Sequence, residues 1–168
     1  MSFSVDGKTV IVTGAANGIG AALARHFAEN DANVMCADID EKALKKDLGQ
    51  SGDDSNVRYF AGDLREKLTL ANLLSATVDA FDRVDVLVNA SRQVATTDPL
   101  DMDDETVEKL LQQNLMTSLR LSQMVAKRMI KQDEEQDHEF AGTIINLSSI
   151  AARLTQPDLL AYSVSTAA

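Results

Sequence analysis

Cysteine is nearly missing from this chain: Cys36 is the one thiol in 168 residues. Neither a disulfide framework nor a zinc site can be built within it, and no metal site is assigned. Cys36 stands in the apolar run "NVMCAD", which marks a buried core thiol rather than a reactive one. Positive charge is scarce as well. Lysine and arginine number 16 against 26 aspartates and glutamates, a formal net charge of −10. Such a surface argues against phosphate-backbone binding, so nucleic acid is not an expected partner. It argues equally against anionic membranes. The acidity itself reads as solubility. No apolar run approaches the roughly 18 residues of a bilayer span. The opening "MSFSVDGK" lacks the basic-then-apolar pattern of a secretory leader. A cytoplasmic, reducing compartment is the expectation. Internal repeats and linkers are also missing, so one domain over 1–168 is expected.

Apolar residues, by contrast, make up 45% of the chain, enough for a globular domain with a real core. They fall in short runs that alternate with longer amphipathic ones. "TVIVTG" (9–14), "NVMCAD" (33–38), "NVRYFAGD" (56–63), "VDVLVNA" (84–90) and "GTIINLSS" (142–149) read as strands. Between them, "GIGAALARHFAEN" (18–30), with Ile19, Leu23 and Phe27 at helical spacing, predicts a helix. So do "DEKALKKDL" (40–48), with Asp40 as its N-cap, and "REKLTLANLLSATVDAF" (65–81). A long helix is expected from about 103 to 131, with Val107, Leu111, Leu115, Leu119 and Met124 on one side, and a last helix from near 160. "KQDEEQDHE" (131–139) reads as a solvated acidic loop. Strands alternating with helices, and strands apolar throughout, predict an α/β fold. Its form is a doubly wound parallel sheet covered on both faces, three layers in all.

"TGAANGIG" (13–20) joins the first strand to the first helix. Its glycines, Gly14, Gly18 and Gly20, let the backbone approach a pyrophosphate closely. The helix N-terminus then offers free N–H groups and the positive end of its dipole. The strand before and the helix after supply the context that a bare glycine pattern lacks. Asp38 closes the second strand, 18 residues beyond Gly20. A carboxylate there accepts hydrogen bonds from both adenosine ribose hydroxyls and repels a 2′-phosphate. No basic residue precedes it in that strand, which favours NAD over NADP. The alternative for Asp38 is that it merely caps a turn.

With these residues in place, the chain resembles the short-chain dehydrogenase/reductases, specifically their classical branch. The spacing T-G-x-x-x-G-x-G carries the resemblance, which runs from about residue 5 to the last. It implies a Rossmann-like sheet of order 3-2-1-4-5-6-7, of which this chain supplies five strands. Strands six and seven, and most of the substrate-selecting residues, are then expected beyond Ala168 in a longer protein. The resemblance places cofactor contacts on Gly14, Asn17, Gly18, Ile19 and Gly20 in the turn, and on Asp38. It adds Asp63 and Leu64 of "GDL" (62–64), at the adenine, and Asn89 and Ala90 after strand four. The family's N-N-A-G motif there reads N-A-S-R, so Arg92 stands where a glycine is expected. It adds bulk and charge, repositions the loop, or contacts a phosphate.

The resemblance also implies three catalytic residues in this chain. Asn114 offers a backbone carbonyl to a water of a proton relay; an ordinary polar helix residue is the alternative. Ser149, 13 residues before Tyr162, hydrogen-bonds the substrate oxygen, a spacing that suits it better than Ser148. Tyr162 is the general acid/base, and both hydroxyls must face one carbonyl oxygen. The fourth member should be a lysine at 166. It lowers the ionisation of the tyrosine, which unaided lies near pH 10, and holds the nicotinamide ribose. Thr166 offers only a hydroxyl for that ribose, and no lysine follows Lys131. Arg153, four residues past Ser149, is a weak substitute for the missing charge. The expected function is hydride transfer between NAD and an alcohol or carbonyl substrate, in a homodimer or homotetramer. A nucleotide-binding relative without turnover, or an inactive fragment, stands as the alternative.

Overall fold

The computed structural model describes residues 4–48, 55–101, 103–134, 141–154 and 156–168. The five apolar runs form β1 (Thr9–Thr13), β2 (Asn33–Asp38), β3 (Val57–Ala61), β4 (Val86–Asn89) and β5 (Thr143–Asn146). All neighbours pair in parallel, in the order β3-β2-β1-β4-β5. The chain steps outward from β1 to β3, then returns to place β4 on the other side of β1. That reversal opens a crevice at the carboxyl ends of β1 and β4.

Successive β1 residues point to opposite faces, and both faces are covered. Val10 and Val12 pack with Val34 and Cys36 of β2 and with Leu44 of α2 (Glu41–Leu48), and Leu23 and Phe27 of α1 (Gly18–Glu29) lie against them. Ile11, Met35 and Leu87 face the opposite layer. They meet Leu70 and Leu73 of α3 (Lys67–Phe81) and Leu121, Val125 and Met129 of α5 (Thr117–Glu134). Two covered faces explain why these strands are apolar without alternation. Burial pushes the Cys36 thiol up to about 12, as a core cysteine requires. Asp40 caps α2 as expected, its Oδ1 accepting the Ala43 N–H at 3.0 Å. Among the described residues, no helix is long and apolar enough to cross a membrane.

Three expectations need correction. α1 buries the small residues Gly20, Ala21 and Ala24, while Ile19 is 67% exposed. The long helix is not uniform: α4 (Thr106–Leu110) leads into a π turn, Leu111–Met116, and then α5. Its buried face carries Leu110, Thr117, Leu121, Val125 and Met129, and Leu119 is exposed. A row at constant i+4 spacing drifts about 40° per step on a helix of 3.6 residues per turn, so Leu119 has rotated far from Val107. Lastly, residues 131–134 of the expected acidic loop belong to α5, and 135–139 lie outside the described residues.

The last turn of α5 explains part of this extension. Gln132 is buried and forms two hydrogen bonds with one backbone unit. Its Oε1 accepts the Val84 N–H at 3.0 Å, and its Nε2 donates to the Val84 carbonyl at 2.9 Å. Arg128 Nε adds a donor to the same Oε1 at 2.9 Å. The glutamine thus satisfies the backbone just ahead of β4, which no strand pairs. Gln132→Ala leaves that buried N–H and carbonyl unpaired and is expected to cost about 2 kcal/mol or more. Chemical denaturation of the intact protein measures it. A loss below about 0.5 kcal/mol, the scale of a surface change, contradicts the clamp.

Candidate functional site

The crevice at the strand ends is a cleft of about 750 Å³. Its floor is the turn between β1 and α1. Gly14 takes φ +68° and Gly18 φ +52°, both in the left-handed region that favours glycine. A Cβ on Gly14 would stand 2.8 Å from the backbone of Ser91, and one on Gly20 only 2.0 Å from the Gly14 carbonyl oxygen. At Gly18, nothing lies within 4 Å of the place a Cβ would take, so its left-handed φ alone favours glycine there, and it does not itself line the cleft. Asn17 precedes the helix in extended backbone, and its side chain makes no capping bond. Gly14, Asn17, Ile19 and Gly20 line the cleft. The start of α1 thus presents backbone donors to a cavity that a pyrophosphate suits.

Asp38 lines the same cleft from the end of β2. Its Oδ2 accepts the Ala16 N–H and its Oδ1 the Asp40 N–H, each at 3.1 Å. The carboxylate therefore caps a turn and also ties β2 to the glycine turn. Two oxygens offer about four acceptor positions, so two remain for a ligand hydroxyl. Asp63 and Leu64 line the cleft too, with Leu64 buried. Asp63 is gripped by Arg65, whose Nε lies 2.9 and 3.0 Å from its oxygens and whose Nη2 lies 2.5 Å away. The guanidinium holds the Asp63 carboxyl below the usual carboxylate range.

Asn89 and Ala90 part company. Ala90 lines the cleft, but the Asn89 side chain turns the other way. Its Nδ2 donates to Asn146 Oδ1 at 2.8 Å and to Ser122 Oγ at 3.0 Å, joining β4 to β5 and α5. The backbone N–H groups of Ala90 and Ser91 donate to the Thr13 hydroxyl, at 3.1 and 3.0 Å. Thr13 thereby pins the loop after β4 to the end of β1.

The catalytic candidates come from three further elements. Ser149 follows β5, and its hydroxyl accepts the Ala151 N–H at 3.2 Å. Tyr162 lies on α6 (Leu160–Ala167) and is buried. Both line the cleft, as does Ser148. Asn114 sits in the π turn, and it is the amide rather than the backbone carbonyl that reaches across. Its Oδ1 accepts the Gln93 N–H at 2.8 Å, and its Nδ2 donates to the Gln93 carbonyl at 2.9 Å and to Ser165 Oγ at 3.0 Å. The Asn114 carbonyl accepts the Ser118 hydroxyl at 3.0 Å. Asn114 does not line the large cleft but a smaller one behind it, of about 320 Å³.

Thr166 turns its hydroxyl back onto its own helix, donating to the Tyr162 carbonyl at 2.8 Å, with the Ser163 carbonyl at 3.2 Å. It lines the smaller cavity and not the larger one. Arg153 is exposed and lines neither. Arg92 points inward. Its Nη1 donates to the Tyr162 hydroxyl at 3.0 Å and its Nη2 to the Leu147 carbonyl. Sequence reasoning noted Arg92 but missed its partner, 70 positions away. The only signal was a charged residue where the family motif has glycine.

Similarity to known proteins agrees with this fold. The family model for short chain dehydrogenase matches residues 8–168. The chain is 34% identical over 164 residues to an uncharacterized oxidoreductase of Thermotoga maritima, covering 96% of this chain and 60% of that protein. It is 28% identical to an NAD-dependent glycerol dehydrogenase of Listeria innocua, covering 99% of this chain and 62% of that one. The crystal structure of a short chain dehydrogenase from Mycobacterium smegmatis superposes with a TM-score of 0.85 at 27% identity, over 98% of this chain and 67% of that one. The chain spans about 60% of the length of these two curated relatives. Five parallel strands in this order, a glycine turn at the switch of direction and a match over nearly the whole length lead to one conclusion: the chain belongs to the short chain dehydrogenase family.

Proposed function

We propose that the intact protein is an NAD-dependent oxidoreductase acting on a small alcohol or carbonyl substrate. The observation that carries this reading is a shared cavity. Ser149 and Tyr162 line the same cleft as the glycine turn and Asp38, so reacting group and dinucleotide would meet in one place. Gly14, Asn17, Gly18, Ile19 and Gly20 would hold the pyrophosphate through backbone N–H groups. Asp38 would accept the adenosine ribose hydroxyls with its two remaining acceptor positions. Asp63, Leu64 and Ala90 would flank the adenine and ribose, and Asn89 would act from behind by fixing β4. When bound, the nicotinamide supplies or accepts the hydride.

The chain's own residues handle the proton. Ser149 donates its hydroxyl hydrogen to the substrate oxygen and holds it in place. Tyr162 gives its hydroxyl proton to that oxygen in reduction and takes it back in oxidation. The Asn114 amide keeps the loop at Gln93 and the helix at Ser165 in register. This reading also takes NAD over NADP, because Asp38 would face a 2′-phosphate with like charge. One observation favours a second reading, a nucleotide-binding protein without turnover: Thr166 brings no charge and spends its hydroxyl on its own helix.

Turnover separates the two. Steady NADH formation with a panel of secondary alcohols is expected from the intact protein, with kcat/KM for NAD at least about tenfold above NADP, since like-charge juxtaposition costs several kcal/mol. Tyr162→Phe should lower kcat by about two to four orders of magnitude, the usual weight of a general acid/base. NADH binding without turnover across the panel would favour the second reading.

A second test concerns the adenine end. The folded Asp63 carboxyl ionises below its unfolded value of about 3.9. The stabilisation is therefore complete at neutral pH and is lost as pH falls through the folded value. Both side chains are partly exposed, so the effect is small and salt-screened. Carbon NMR should show the Asp63 midpoint below about 3.9, rising toward that value in Arg65→Gln. An unchanged midpoint in Arg65→Gln would show that the ion pair does not form in solution.

A further inference from the structure

The geometry points to Arg92 as the residue that supplies, through Tyr162, the positive charge that Thr166 does not. The inference rests on the oxidoreductase reading and concerns the same site. The charged residues lining the cleft are Asp38, Asp63, Arg65 and Arg92. Arg65 is committed to Asp63. Arg92 alone among them touches the Tyr162 hydroxyl, at 3.0 Å, and it is half-buried. Its other bond goes to a neutral carbonyl, that of Leu147, so among the described residues no carboxylate pairs with its charge.

Its direction is fixed from both sides. Ser91, just before it, donates its N–H to Thr13 at 3.0 Å. Gln93, just after it, is held at both N–H and carbonyl by the Asn114 amide, at 2.8 and 2.9 Å. The intervening residue has little backbone freedom, and the Leu147 carbonyl anchors the guanidinium itself. An arginine so held is a preorganised donor rather than a surface side chain that wandered in.

The direction of the hydrogen bond matters. Arg92 has donors only, so the Tyr162 oxygen is the acceptor and its own O–H hydrogen stays free for the substrate. In reduction, the Tyr162 O–H bond breaks and a new O–H bond forms on the substrate oxygen. The carbonyl carbon receives the two-electron hydride from the dihydronicotinamide. Tyr162 is left as phenolate, with its charge beside the guanidinium, until solvent returns the proton. Oxidation runs the same bonds backwards. The Arg92–Tyr162 bond becomes charge-assisted only once the proton has left, so it strengthens along the reaction coordinate. Arg92 is in this sense a positioning residue: it acts on the substrate only through Tyr162.

The test compares wild type, Arg92→Met, Arg92→Lys, Thr166→Lys and Arg92→Met/Thr166→Lys in the intact protein. NADH binding by fluorescence and NAD-dependent turnover with secondary alcohols are measured on each. Arg92→Met should lower kcat by about one to two orders of magnitude with KM for NAD within about twofold. Arg92→Lys should recover part of the loss, and Thr166→Lys should recover it in the Arg92→Met background. A merely structural role predicts no rescue from a second site. Unchanged kcat in Arg92→Met overturns the inference. So does a gain in turnover or NADH affinity, which would mark Arg92 as an obstruction. Silent wild type with active Thr166→Lys also overturns it, while leaving the oxidoreductase reading intact. If wild type and Thr166→Lys are both silent across the panel, both readings fall.

Discussion

No Cβ fits at Gly14 or Gly20, where β1 hands over to α1, and the rest of the site is arranged around that constraint. A side chain at Gly20 would press on the Gly14 carbonyl, and one at Gly14 on the backbone of Ser91. Three stretches of chain therefore meet as bare backbone: the end of β1, the start of α1 and the loop after β4. Their closeness turns the reversal in strand order into an open crevice with amide donors at its base. The Thr13 hydroxyl joins the same point from the side by accepting two N–H groups of the β4 loop. Asp38 reaches the turn from β2. The cleft is thus built by backbone approach first, and side chains are placed on its walls afterwards.

This order of construction explains what the sequence could and could not reveal. The inner strands β1, β2 and β4 were legible because strands covered on both faces must be apolar throughout, whereas the outer strands β3 and β5 are less buried and were found by their short apolar runs alone. The glycine turn was legible because few other residues allow such an approach. Asp38 was legible by its distance from that turn, although its two backbone bonds show that the capping and lining roles coexist in one carboxylate. The buried face of the long helix was read wrongly, since an i+4 row drifts around a helix and Leu119 ended outside. The π turn at Leu111–Met116 left no mark in apolar spacing. Its effect is local, and wide turns of this kind recur at functional sites. Here it carries Asn114, whose side chain, not its carbonyl, spans to the β4 loop.

The relation between Arg92 and Tyr162 was hidden for a different reason. Motif reading compares each position with one expected residue, and it scored Arg92 and Thr166 as two separate departures. In the fold they converge on one tyrosine. Thr166 lies on the same helix as Tyr162, one turn along, and returns its hydroxyl to the Tyr162 carbonyl. Arg92 comes from the loop after β4 and meets the Tyr162 hydroxyl. One departure withholds a cation from the helix that carries the tyrosine, and the other brings a cation to its hydroxyl. Sequence separation of 70 residues concealed a contact that the parallel sheet makes short, because β4, β5 and α6 all deliver their loops to the same edge.

The two halves of the cleft are held by different forces, and this decides how each can vary. The glycine half rests on steric exclusion. A substitution there either fits or clashes, and at Gly20 the obstacle is backbone, which cannot swing aside. The tyrosine half rests on hydrogen bonds between side chains of separate elements. Asn89 ties Ser122 and Asn146, and Asn114 ties Gln93 and Ser165. Such networks can exchange one polar group for another if every partner stays satisfied. A family member can therefore move a positive charge from α6 to the β4 loop without rebuilding its nucleotide cradle. The reverse change, a side chain at Gly14 or Gly20, has no comparable route, since the backbone it would meet cannot yield to it.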